Sequence, residues 1–220
     1  MKPSVLCISL GALDVQNVPS TGHGVHPFDL NAVPGDQFHF INRAVVDHTD
    51  VSSFEFKVGN FMPQILGYIV VKHQDQILTY ARKHSAGESR LLGSRSIGFG
   101  GHVDLEDYLF AGYDEAAGVC YEPDFPTVLQ YSIKRELQEE LLLDGIDDSQ
   151  IKFEGIIVDT HDSVGMVHRG LLCVIELDNP SDVTSTKETQ DLVWQSIEGL
   201  KKDIDLYEGW SQIAINSGLI

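Results

Sequence analysis

The sequence predicts an α+β domain, a mixed β-sheet with helices packed on it. Two observations carry this. Strand-like apolar runs stand both before and after one well-marked amphipathic helix. That helix has an apolar stripe recurring every four residues, which suits a face laid on a sheet.

The elements follow in chain order. Residues 1–60 are read as an N-terminal extension, packed on the core or on a second copy of the chain, and residues 61–220 as the main domain. Within the extension, "VLCISLGAL" reads as a first strand, and not as a secretory signal, because only Lys2 precedes it and no small-residue cleavage site follows. "HGVHPFDLNAVPGDQ" is rich in turn formers and reads as loop, and "QFHFINRAVV" reads as a strand. From residue 61 the pattern sharpens: "QILGYIVVK" and "QILTYAR" flank "HQDQ" as a hairpin, and "SRSIGFGGHVD" is a strand ending in glycines. "FEGIIVDT" and "GLLCVIEL" are further strands, "DLVWQSIEGLKK" returns to structure after a polar loop, and "LYEGWSQIAINSG" closes as a helix.

The central helix is expected over residues 126–143. Asp124 can cap it, and Pro126 suits a first turn, where a missing N–H costs nothing. Leu129, Ile133, Leu137 and Leu141 form one face. Glu136, Glu139 and Glu140 lie three and four residues apart, so their carboxylates gather at the edge of that face. A solvated acidic face explains this, since like charges four apart cost only about 0.2–0.5 kcal/mol. A divalent cation site also explains it, because Mg²⁺ takes hard oxygen ligands. The helix alone does not decide.

Composition narrows the function classes. The 220 residues carry a formal net charge of −18, which argues against tracking a nucleic-acid backbone but leaves small phosphorylated ligands open. Arg82, Lys83, Arg90 and Arg95 fall within 14 residues of a chain holding 15 Lys and Arg, so they form a local phosphate-binding candidate or an ordinary basic loop. Cys7, Cys120 and Cys173 have no metal-ligand spacing and fit a reducing cytoplasm. No apolar run of about 18 residues is present, so no membrane helix is expected. His23 and His26 are three apart, but a loop pair with no third ligand reads as incidental.

At "GFGGHVD" and "RELQEEL" the chain resembles the Nudix hydrolases, whose signature is G-x5-E-x7-R-E-U-x-E-E-x-G-U. The second half matches at Arg135, Glu136, Leu137, Glu139, Glu140 and Leu143; the first matches at Gly101 and, after five intervening residues, at Asp107 in place of Glu. Two departures stand out. The acid and the arginine are 28 positions apart where the family has eight, so about 20 residues look inserted before the helix. Leu142 stands where the family has Gly, which predicts a helix lengthened towards Gly145. The inserted segment 108–126 holds Tyr108, Phe110, Tyr113, Tyr121 and Phe125 with Gly112 and Gly118, and suits a lid over a ligand or plain packing on the domain or a second subunit.

The resemblance implies a Nudix-type α/β/α sandwich around a mixed sheet. It also implies hydrolysis of a diphosphate linkage in a nucleoside diphosphate-type small molecule, dependent on Mg²⁺ or Mn²⁺. Metal ligation maps onto Glu136, Glu139, Glu140 and the carbonyl of Gly101. Arg135 takes a positioning role. The general base falls to Glu139 first, then to Glu188 in a late loop, and third to Asp107. His168 is read as structural, and Arg82, Arg90 and Arg95 as candidates for the substrate phosphates. A homodimer is compatible with the extension. The competing readings are a Nudix-fold binding or regulatory module without activity, and an isomerase on the same fold, for which Cys120 is the one cysteine near the box.

Overall fold

The computed structural model describes residues 3–46, 62–82, 94–161, 163–187 and 189–220. The elements run β1 (Ser4–Ile8), α1 (Leu10–Val15), β2 (His23–His26), β3 (Phe38–Asn42), α2 (Arg43–Val46), β4 (Gln64–His73) and β5 (Gln76–Arg82). They continue with β6 (Arg95–Ser96), β7 (Gly98–Phe99), α3 (Leu105–Ala111), β8 (Tyr113–Asp114), β9 (Val119–Cys120) and α4 (Phe125–Leu141). The chain ends with β10 (Ile151–Asp159), β11 (His168–Glu176), β12 (Thr189–Ser196), α5 (Ile197–Lys202) and α6 (Gly209–Ser217).

One mixed sheet runs β12-β5-β4-β11-β10-β2. At its centre β4 and β11 are parallel, from His168 opposite Gln64 to Glu176 opposite Lys72. Both strands are continuous apolar runs because both faces are covered. Ile69 and Val71 of β4, with Leu171, Cys173 and Ile175 of β11, point into one core beside Leu129, Ile133, Leu137 and Leu141 of α4. Tyr68, Val70, Leu172 and Val174 point the other way, against Ile213, Ala214 and Ile215 of α6. The period-two alternation of the strands thus builds the α/β/α sandwich. No helix among the described residues is long and apolar enough to cross a membrane.

Several expectations are corrected. The stretch read as loop contains β2, whose His23–His26 pair antiparallel with Ile156–Asp159 of β10. Turn-forming composition hid it, and the pairing comes from a distant strand. The glycine-ended strand is two short pieces, β6 on β5 and β7 on β4. The central helix spans Phe125–Leu141, with Asp124 accepting from the Thr127 N–H at 2.9 Å as expected of a cap. It does not lengthen towards Gly145. Leu142 itself takes the left-handed conformation, φ 53°, and its N–H donates to Gln138 O at 3.1 Å. A non-glycine residue there costs roughly 1 kcal/mol, and Leu143, buried in the core just beyond, requires the turn.

Candidate active site

The glycine turn after β7 meets α4 edge-on. Gly100 has φ +117°, and a Cβ there would sit 2.5 Å from Gly67 O, so only glycine fits. Its N–H donates to Glu140 Oε2 at 2.7 Å. A Cβ on Gly101 would lie 2.7 Å from Glu136 Oε1, so the missing side chain leaves room for that carboxylate. The Gly101 carbonyl accepts from the Gly67 N–H at 2.9 Å, which leaves it one lone pair.

Arg135 organises the rest. Its Nε donates to Asp107 Oδ1 at 2.7 Å and its Nη2 to Asp107 Oδ2 at 2.9 Å, a bidentate pair with the carboxylate only 1% exposed. Its Nη1 donates to Glu136 Oε1 at 2.9 Å and to Glu139 Oε2 at 3.2 Å, and its Nη2 also reaches His102 O at 3.1 Å. Burial opposes the charge of Arg135, but the bonds and charges of Asp107 and Glu136 outweigh it and hold the guanidinium above its ordinary value. Asp107 also accepts from the Asp104 N–H at 2.8 Å within a capping box that starts α3. With three bonds accepted and 1% exposure, Asp107 stands as an anchor for Arg135.

Glu136 is the poorly compensated member. Burial pushes its carboxyl up to about 7, against the pull of Arg135 and with the neighbouring charges of Glu139 and Asp107 adding to the rise. Glu139 is 54% exposed in its side chain and faces solvent, while Glu140 is buried. All four donors here are oxygens beside a backbone turn that a Cβ would fill, a set that fits a hard divalent cation.

A cleft of about 200 Å³ opens beside the glycine turn, walled by Tyr68, Gly100, His102, His168, Glu208 and Trp210. His168 therefore lies on the cleft wall, its ring edge-on to His102 at 5.3 Å and its Nδ1 2.8 Å from Val164 O. Tyr68 OH donates to Glu208 Oε1 at 2.8 Å, and the Trp210 ring lies edge-on to Tyr68 at 5.8 Å. Glu208 caps α6 through the Trp210 and Ser211 N–H groups. Sequence reasoning missed Tyr68, His102, Glu208 and Trp210. The "EGW" opening of the last helix was the one readable signal, an acidic cap ahead of an aromatic.

Of the basic cluster, Arg95 is the member whose side chain is described. Arg95 donates to Thr79 Oγ1 at 2.6 Å and to Asp191 O at 3.0 Å, and it does not line the cleft. Arg90, Lys83 and the side chain of Arg82 lie outside the described residues, as does Glu188. Among the described residues, Arg43 is the one Arg or Lys lining the cleft. In the insertion, Phe125 is buried against Phe38 at 5.5 Å and Tyr108 packs on Phe40 at 5.4 Å. Phe110 stacks on Tyr131 at 6.0 Å, away from the cleft wall.

No protein-family model matches the chain. Protein YmaB of Bacillus subtilis (strain 168) is 35% identical over 158 residues, 70% of this chain and 69% of that protein. Among solved structures, Tm1382, a candidate Nudix hydrolase, superposes with TM-score 0.67 at 20% identity, covering 97% of this chain and 96% of its own. A Nudix hydrolase from Alicyclobacillus acidocaldarius gives TM-score 0.53 at 14% identity over 72% of this chain and 92% of its own. At these identities the structural likeness is one of fold.

Proposed function

This chain belongs to one family with Protein YmaB and has the Nudix hydrolase fold, and on that footing we propose that it is a divalent-cation-dependent hydrolase of a diphosphate linkage. The substrate class is a small nucleoside diphosphate-type molecule, and not a nucleic-acid polymer, in keeping with the net charge of −18. A reducing cytoplasm is the compartment proposed, on the free, buried Cys7 and Cys173. One observation carries the reading: three carboxylates, Asp107, Glu136 and Glu139, share the single Arg135 guanidinium, with Glu140 held on the adjoining glycine turn.

Glu136, Glu139 and Glu140 would hold Mg²⁺ or Mn²⁺, with the free lone pair of the Gly101 carbonyl as a further donor. When bound, the ion supplies polarisation of phosphate oxygens and neutralises developing negative charge. Arg135, fixed by its two bonds to Asp107, sets the orientation of Glu136 and Glu139. Glu139 is solvent-facing and takes the proton of the attacking water. Arg43 offers a cation to a substrate phosphate at the cleft. Trp210 and Tyr68 form an aromatic wall that can cover a base or exclude water.

A panel of nucleoside diphosphate compounds with Mg²⁺ or Mn²⁺, read by phosphate or pyrophosphate release, tests this. Cation-dependent hydrolysis that Glu139→Gln removes is the expected result. Tight binding of a diphosphate compound without any hydrolysis would sink the enzyme and favour a ligand-binding module.

A further inference from the structure

We propose that His23, Asp159 and His161 form a second cation site, suited to a borderline first-row metal such as Zn²⁺ or Co²⁺. It lies behind the cleft wall and apart from the box carboxylates.

The fold brings the three together. In the β2–β10 pairing, His23 lies directly opposite Asp159. His161 follows two residues beyond Asp159, a spacing that returns a side chain to the same side of an extended chain. His23 Nδ1 is 3.2 Å from Asp159 Oδ1, and His161 Nδ1 is 4.0 Å from the same oxygen. One ligand atom from each residue lies within 4.8 Å of the other two. The two imidazole rings stack at 4.6 Å with an interplanar angle of 11°, so both present a nitrogen edge to one carboxylate.

The carboxylate is the fixed member. Its side chain is 5% exposed, and Oδ1 also accepts from the His161 N–H at 3.2 Å. Two bonds lock the strand end around it: Thr160 N–H donates to Gly22 O at 2.9 Å, and Gly22 N–H to the Thr160 side-chain Oγ1 at 3.0 Å. The two histidines are 45% and 71% exposed and leave an entry path from solvent. A tetrahedral Zn²⁺ with bonds of about 2.0–2.1 Å holds its donors about 3.3 Å apart. The His23–Asp159 distance already suits this, and rotation of the exposed His161 ring closes the other.

The donor chemistry separates the two sites. Two imidazole nitrogens and one carboxylate oxygen, with positions left for water, favour Zn²⁺ or Co²⁺ over Mg²⁺. The box offers oxygens alone. The second site also touches the cleft from behind: a Cβ on Gly209 would lie 3.1 Å from Asp159 Oδ2, and Gly165 is packed against the Asp159 carbonyl. Both glycines line the cleft. A bound ion would tie β2 to that wall.

The experiment titrates Co²⁺ into the full chain, stripped of transition metals and held in excess Mg²⁺, reading visible d–d absorption, with Zn²⁺ as competitor. One equivalent of Co²⁺ is expected, bound at least tenfold more weakly in His23→Ala and in His161→Ala, and unchanged in Glu139→Gln. Zn²⁺ should raise the melting temperature of the parent and not of His161→Ala. His161 is so exposed that its loss leaves folding intact, and circular dichroism checks this. Absence of the band in folded parent protein, or a band unaffected by both histidine substitutions, overturns the site. A band lost only in Glu139→Gln assigns the metal to the box and also overturns it. Neither result bears on hydrolysis, so this site and the proposed reaction fail separately.

Discussion

Asp107 and Arg135 stand 28 residues apart and meet through two bonds of 2.7 and 2.9 Å, while the segment between them is held mostly by rings and main chain. In the box, Asp107, Arg135 and Glu136 fix each other through charge-assisted bonds, and only Glu139 reaches into solvent. In the insertion, Phe110, Tyr113, Val119 and Tyr121 are exposed, and the tip is a two-strand hairpin. The excursion is closed at its base, where Tyr121 N–H donates to Gly112 O and Tyr121 OH to Ala111 O, each at 2.8 Å. The difference teaches that a split string of charged residues can still come together across a long interruption when one ion pair spans it. Spatial closure, not sequence spacing, preserves the box.

The comparison can be broken first at the box carboxylates. On the proposed reaction, Glu136→Gln or Glu139→Gln should lower turnover roughly a hundredfold or more, since several kcal/mol of transition-state stabilisation would come from the cation these carboxylates would hold. Steady-state kinetics at saturating Mg²⁺ would read this, and parent-like rates in both variants would remove the assignment.

Next comes the spanning pair. Arg135→Ala leaves Asp107 buried without its partner and should cost roughly 3–5 kcal/mol in denaturant unfolding. Arg135→Lys keeps the charge without the fork and should fall between the two. A loss below about 1 kcal/mol for the alanine variant contradicts a structural staple.

Glu136 sets a pH dependence. Its folded carboxyl, at about 7, lies above the ordinary 4.5, so the folded chain holds the proton more tightly than the unfolded one. Its contribution is therefore complete below pH 4.5 and is lost as pH rises through about 7, a change of roughly 3 kcal/mol. Metal-free unfolding curves at several pH values should slope this way, Glu136→Gln should flatten them, and Mg²⁺ should restore stability above pH 7. An identical slope in the variant would assign the effect elsewhere.

The smallest effects belong to the insertion and the helix end. Replacing residues 113–120 with a short Gly-Ser link should change stability by less than about 1 kcal/mol and leave the metal requirement intact. A raised KM with broadened selectivity would mark a lid, and a changed oligomeric state would mark a packing surface. Leu142→Gly should gain roughly 1 kcal/mol by relieving the left-handed turn, measurable as a higher melting temperature.

Much of the box was legible because its chemistry is written locally. Glu136, Glu139 and Glu140 sit on one helix whose period and Asp124 cap read directly from the string. The central strands were equally plain as long apolar runs. The cleft was not legible, because Tyr68, His168 and Trp210 come from three separate elements and His102 from the turn after β7, and they converge only through the fold. The signature's Gly at position 142 did mark a left-handed helix end, and the expectation of a longer helix failed because Leu142 takes that conformation without glycine. β2 escaped notice because glycine and histidine are poor strand formers alone, and β10 supplies the pairing that composition lacked.

That short strand has a consequence for the chain's solubility. β2 occupies one rim of the sheet and lies opposite Ile156, Ile157 and Val158, three fully buried apolar residues, covering the main-chain groups that β10 turns outward. Stripped of it, β10 would present an unpaired apolar edge, the kind of template on which a second molecule adds a strand. A version trimmed to residues 62–220 should therefore be prone to aggregation even with every box residue in place. Light scattering on that trimmed chain beside the full one would show whether the N-terminal segment guards the sheet against its own copies.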